Sequence, residues 1–182
     1  MPIHPAAHPR PRTLVHPGRA APVRIHSMES PHARHLRLML EPGRSLHAAL
    51  VEPLARRGIA AASTTILGGG FAQLFYCVAP PDPQGRAVIA YSDPIDAGAA
   101  TMIFGNATIG RGLTGAVLVH CHAVLRTGAG AMAGGHILPE RSIVGPAPIP
   151  VLVTVIEDFE IRQTHDPETN IALFQPRRRG DD

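Results

Sequence analysis

Apolar residues follow two rhythms along this chain. Between residues 45 and 57 they recur at Leu46, Ala49, Leu50 and Leu54, the spacing of one helical face. Ser45 is placed to cap that helix, and Arg56-Arg57-Gly58 supplies the cations and the glycine that commonly end one. Pro53 removes a backbone hydrogen bond, which predicts a helix that is bent or divided. Elsewhere the pattern is short, β-prone and punctuated by Gly and Pro. Strands are predicted at residues 35–40, 59–67, 71–78, 87–91, 101–109, 116–125, 131–138 and 151–161, with Glu41-Pro42-Gly43 as the turn closing the first. One helix and about seven to eight strands joined by hairpin-length gaps predict an α+β domain on a mostly antiparallel sheet. No internal repeat is visible.

The ends read differently. Residues 1–34 form a Pro/His/Arg-rich N-terminal arm, because its prolines forbid a long helix or a central strand. Within it, residues 22–27 alternate well enough to pair at a sheet edge. The folded domain is expected at 35–176, followed by a basic-acidic tail at 177–182. Two cysteines, Cys77 and Cys121, are too few for a disulfide framework and point to a reducing compartment. No run of about 18 apolar residues occurs, and the first 35 residues lack a signal peptide's apolar stretch, so the expectation is a cytoplasmic protein without a membrane partner.

The formal charge of +3 is unevenly spread. The arm carries +4 and the tail +1, which leaves the domain at −2. A slightly acidic domain with two Tyr, five Phe and no Trp is a poor platform for gripping and stacking nucleic acid. All seventeen cations are Arg, a bias ascribed to a GC-rich genome.

Chemistry concentrates in one place. In Val119-His120-Cys121-His122-Ala123, residues two apart share a face of the strand, so His120 and His122 point together and Cys121 points away. Gly134-Gly135-His136 follows on the next strand. If Gly128-Ala129-Gly130 is a three-residue hairpin loop, His122 lies opposite His136 and three imidazoles converge. A slip of one residue would turn His136 to the other face. Three neutral histidines with an open fourth position suit zinc, the first expectation, or another divalent ion that accepts imidazole. Glu140 and Glu157 are the nearest acidic candidates for a base or fourth ligand, and Arg24, Tyr91 and Arg111 could orient an anion, although all five are also ordinary surface residues. Gly68-Gly69-Gly70 lacks the Gly-Lys-Ser/Thr of a phosphate loop and reads as a turn or sheet kink. No nucleophile elbow is present, and Cys121 has no evident activation.

The His-x-His strand followed by Gly-Gly-His resembles the prokaryotic stand-alone members of the plants-and-prokaryotes-conserved (PPC) domain family. The resemblance runs over residues 36–173, taking in the first strand, Glu41-Pro42-Gly43, the helix before Gly58, and Glu157, Arg162, Asp166 and Thr169. It implies an α+β domain that assembles as a homotrimer, with His120, His122 and His136 as the metal site. A DNA-binding label attaches to such proteins by analogy with plant relatives, whose DNA contact is made by a hook with an Arg-Gly-Arg-Pro core. The nearest string here, Pro9-Arg10-Pro11-Arg12, lacks the glycine that lets a backbone sink into the minor groove. Three functions are therefore in play. One is a trimeric module binding a divalent metal, with a small-molecule or enzymatic role for which no substrate or base is named. Another is a regulatory DNA-binding protein using its Arg-rich arm, three arms in a trimer raising the effective concentration. The third is a plain oligomeric scaffold whose histidine cluster is empty or structural.

Overall fold

The computed structural model describes residues 14–180, so the Pro9-Arg10-Pro11-Arg12 string lies outside the described residues. Among the described residues the architecture is α+β: twelve strands and a single helix. Strand β1 (Arg34–Leu40) leads into helix α1 (Leu46–Ala55), followed by β2 (Ala62–Ile66), β3 (Gly69–Gln73), β4 (Phe75–Cys77) and β5 (Ile95–Asp96). The long hairpin β6 (Ala100–Arg111) and β7 (Val117–Thr127) comes next, then β8 (Met132–Ile137), β9 (Ile143–Val144), β10 (Ile149–Val155), β11 (Phe159–Asp166) and β12 (Ile171–Arg178). The main path of the sheet is β1-β10-β2-β6-β7-β8-β4-β5, with β3 and β9 to one side and the β11-β12 hairpin touching β6 through a single parallel bridge at Arg111 and Arg162.

Twelve strands replace the expected seven to eight: two predicted strands divide, one is absent, and β5, β9 and β12 are additional. Residues 71–78 change neighbours at the fully buried Leu74, β3 pairing with β6 and β9 while β4 pairs with β8 and β5. Residues 151–161 break between β10 and β11, where Ile156 donates to the Ala61 carbonyl and Glu157 pairs with Arg34 at 2.9 Å. The strand predicted at 87–91 is absent. Ala90 and Ser92 donate to the carbonyls of Pro80 and Val78, but Pro80 has no N–H to return and the Val78 N–H turns to the Ser92 hydroxyl, so no ladder closes. β12 was not foreseen, although Asp166-Pro167-Glu168-Thr169-Asn170 carries turn residues throughout. Asp166 there accepts from the backbone N–H and the hydroxyl of Thr169, and Asn170 takes the left-handed φ of 55°.

Helix α1 is one continuous element despite Pro53. The Ser45 hydroxyl accepts from the Ala48 N–H, and the helix closes at Gly58 (φ 70°), with Gly58 donating to Ala55 and Ile59 to Leu54. Leu46, Leu50 and Leu54 are buried against the inner face of the sheet, where Leu40, Ile66, Ile109, Val119, Leu125 and Val151 complete the core. Between β2 and β3 the glycine run makes a sheet kink, as anticipated: both strands pair with β6, and a side chain at Gly68 would stand 2.6 Å from the Ile103 carbonyl oxygen.

Residues 22–27 make no strand. The arm is held instead through Glu168, whose carboxylate is buried and meets His16 Nδ1 at 2.7 Å, the Ala21 N–H at 2.7 Å and Arg24 Nη2 at 2.8 Å. Gly18 donates to the Glu168 carbonyl at 2.9 Å and lies so close to the turn that a Cβ would fall 1.9 Å from the Pro167 oxygen. No helix among the described residues is long and apolar enough to cross a membrane.

Candidate metal centre

The β7-β8 hairpin places the histidines. Its loop is three residues long, Gly128-Ala129-Gly130, closed by Thr127 donating to Ala131 and by Gly130 donating to Thr127 with φ 85°. This loop fixes the register, and His122 stands directly opposite His136. Cys121 and its neighbours Val119 and Ala123 point into the core, so His120 and His122 occupy the outer face. No slip or bulge interrupts the β7-β8 pairing.

Glycines 134 and 135 are required by the crowding around β8. A Cβ at 134 would come 2.7 Å from the Ala123 oxygen, and one at 135 would come 2.2 Å from the Cys77 oxygen of β4. Only glycine lets β8 lie this tightly between β7 and β4.

Donor atoms of His120, His122 and His136 all lie within 4.8 Å of one another. The ring centroids of His120 are 4.8 Å from each of the other two, and those of His122 and His136 are 5.5 Å apart. Burial, reinforced by the neighbouring imidazoles, lowers the His120 pKa to about 4, and burial together with His122 lowers that of His136. A His120 that resists protonation is available as a neutral ligand at pH 7. Among the described residues, His136 Nδ1 is a buried side-chain atom without a hydrogen-bond partner. The donor set and the unpartnered nitrogen both fit a divalent ion.

Beside the rings opens a cleft of about 400 Å³ lined by His120 and His136 but not by His122, which is more exposed. Tyr91, from the loop that replaces the predicted strand, stands 5.1 Å from the His136 ring centre to centre. Of the remaining residues named from the sequence, Glu140 reaches the rim of the cleft. Glu157 is paired with Arg34, Arg24 with Glu168, and Arg111 donates to the Gly115 carbonyl, so none of these three lines it. Gln163, Ile171 and Ala172 complete one wall and were missed with the β11-β12 hairpin that carries them. Burial pushes the Cys121 thiol up to about 12, consistent with an inert core residue.

No family model matches the sequence, and no curated protein does so. Solved structures do. A metal-containing protein from Archaeoglobus fulgidus superposes with a TM-score of 0.63 at 18% identity, covering 84% of this chain and 99% of that one. A candidate DNA-binding protein from Ralstonia eutropha gives 0.60 at 22% identity, covering 81% and 93%. A plant- and prokaryote-conserved protein from Pyrococcus horikoshii gives 0.59 at 17% identity, covering 81% and 97%. The chain has the fold of the plant- and prokaryote-conserved (PPC) proteins.

Proposed function

We propose that this protein binds one divalent metal ion, zinc first among the candidates, through His120, His122 and His136. The observation that carries the reading is the meeting of three imidazoles from two strands, with a buried ring nitrogen left unpartnered. The similarity to an archaeal protein that contains metal supports it. Three neutral ligands leave the ion its full charge, and such a centre polarises a bound oxygen or lowers the pKa of bound water towards about 7. The chain's own part is to hold the rings on a rigid hairpin and to leave the cleft side of His120 and His136 open to a small molecule.

Self-association as a homotrimer belongs to the same reading. Met39, Leu67, Phe104 and Val124 are exposed and fall, with Pro150, in one row across the outer face, where β1, β10, β2, β6 and β7 lie side by side. An uncovered apolar row of this kind favours contact with another copy.

Elemental analysis of tag-free protein tests the metal. About one zinc per chain is expected, and the His120→Ala/His122→Ala variant should retain less than about a tenth of it, since a single remaining imidazole is a poor site. A variant that keeps the parent's metal content refutes the assignment.

The Ralstonia eutropha protein supports a second reading, DNA binding through the arm. That reading expects an affinity that falls steeply with salt and vanishes when residues 1–33 are deleted, measured by fluorescence anisotropy. Within the described residues, Arg24 is already committed to Glu168, which weighs against it.

A further inference from the structure

Resting on the metal reading above, we infer that the cleft beside the histidines takes a small ligand with an oxygen donor at one end, an apolar body and no anionic group away from that donor. His120 and His136 form part of the lining, so an ion held by them would border the cleft. The donor end of the ligand therefore lies against the rings.

The rest of the lining sets the chemistry of the body. Leu118 comes from β7, Leu138 and Pro139 from the segment after β8, and Ile171 from β12, so apolar side chains contribute from three separate parts of the chain. Tyr91 and Gln163 add a phenol and an amide, which recognise uncharged oxygen or nitrogen groups. Among the described residues no arginine lines the cleft, and the one carboxylate that does is that of Glu140. A phosphate or carboxylate away from the ion would meet no compensating cation and one repelling charge, so an anionic body is disfavoured.

The loop bearing Tyr91 is built to hold that wall in place. Asp82 gathers the N–H groups of Gln84, Arg86 and Ala87, Val88 donates to the Thr169 carbonyl, and Asn170 donates to the Arg86 carbonyl. The wall that carries Tyr91 is thereby tied to the turn leading into Ile171 and Ala172. A preformed pocket of apolar walls with a few placed polar groups is the usual form of a small-molecule site.

The test uses the full-length protein loaded with zinc, its metal content measured first, and three probes followed by calorimetry: benzohydroxamic acid, acetohydroxamic acid and 4-carboxybenzohydroxamic acid. Benzohydroxamate should bind about tenfold tighter than acetohydroxamate, as burial of a ring against apolar walls requires, and tighter than the carboxylated probe. Ile171→Asp should erase the preference between benzohydroxamate and acetohydroxamate with zinc content unchanged. Leu118→Gln provides the same comparison should the first variant fold poorly. Equal binding of benzohydroxamate and acetohydroxamate, or tighter binding of the carboxylated probe, overturns the inference and leaves the metal reading intact. Failure of the wild-type chain to take up zinc overturns both.

Discussion

Glu168 and His136 are both drawn out of solvent, and the chain treats them in opposite ways. The Glu168 carboxylate receives His16, the Ala21 N–H and Arg24, each within 2.8 Å, while its own carbonyl accepts from Gly18. His136 is brought beside two further imidazoles, and its Nδ1 meets no partner. Buried polar groups are nearly always satisfied, so a fully satisfied cluster reads as structure and an incomplete one as capacity reserved for something that arrives. The first cluster fastens the arm to the β11-β12 turn. The second waits on a face that the fold leaves open.

The severest way to break this contrast is Gly135→Ala. The new methyl group would stand 2.2 Å from the Cys77 oxygen, so β8 must leave either β4 or β7. Overpacking against backbone is expected to lower stability by about 3 kcal/mol in a denaturant titration, with loss of zinc binding as His136 moves. Unchanged stability with zinc retained would show that β8 is less tightly wedged than described.

Glu168→Ala should have a smaller and separable effect. Zinc content stays at the parent's value, while trypsin cuts the arm at Arg19 or Arg24 about tenfold faster, since cleavage follows the population of the released state. Loss of zinc in this variant would erase the distinction between the two clusters. The same latch carries a pH signature. The Ala21 N–H, then His16, hold the Glu168 carboxyl below its ordinary value near 4.5, and Thr169 does the same for Asp166. Because the folded value is the lower one, the stabilisation is complete above pH 4.5 and is lost as pH falls through the depressed value. Limited digestion by an acid-active protease should therefore find the arm protected at pH 5 and increasingly exposed below about pH 4.

The hairpin was legible because its chemistry is local. A three-residue glycine loop sets the parity of pairing, and parity alone decides that His122 meets His136. The helix was legible for the same reason, from Ser45 to Gly58, and of the two outcomes expected of Pro53 division does not occur, since the helix runs unbroken through it. The missed features have other causes. Residues 87–91 have strand composition, yet Val88 spends its N–H on the Thr169 carbonyl and Pro80 has no N–H to return to Ala90, so no ladder forms. β12 carries Pro176 and ends in arginines, so its own pattern is weak, and without it Gln163 and Ile171 could not be placed at the cleft. Nothing about Glu168 in isolation marks it as the residue that gathers the arm.

The wedge at β8 also bears on how kin of this protein could be found. At 17 to 22% identity to structures of the same fold, overall likeness between sequences carries little weight. Steric necessity persists where likeness fades: the site needs a histidine pair two residues apart, then, twelve residues after the second histidine, two adjacent positions that tolerate no side chain before the third. A pattern built from those constraints should collect distant homologues that alignment scores pass over.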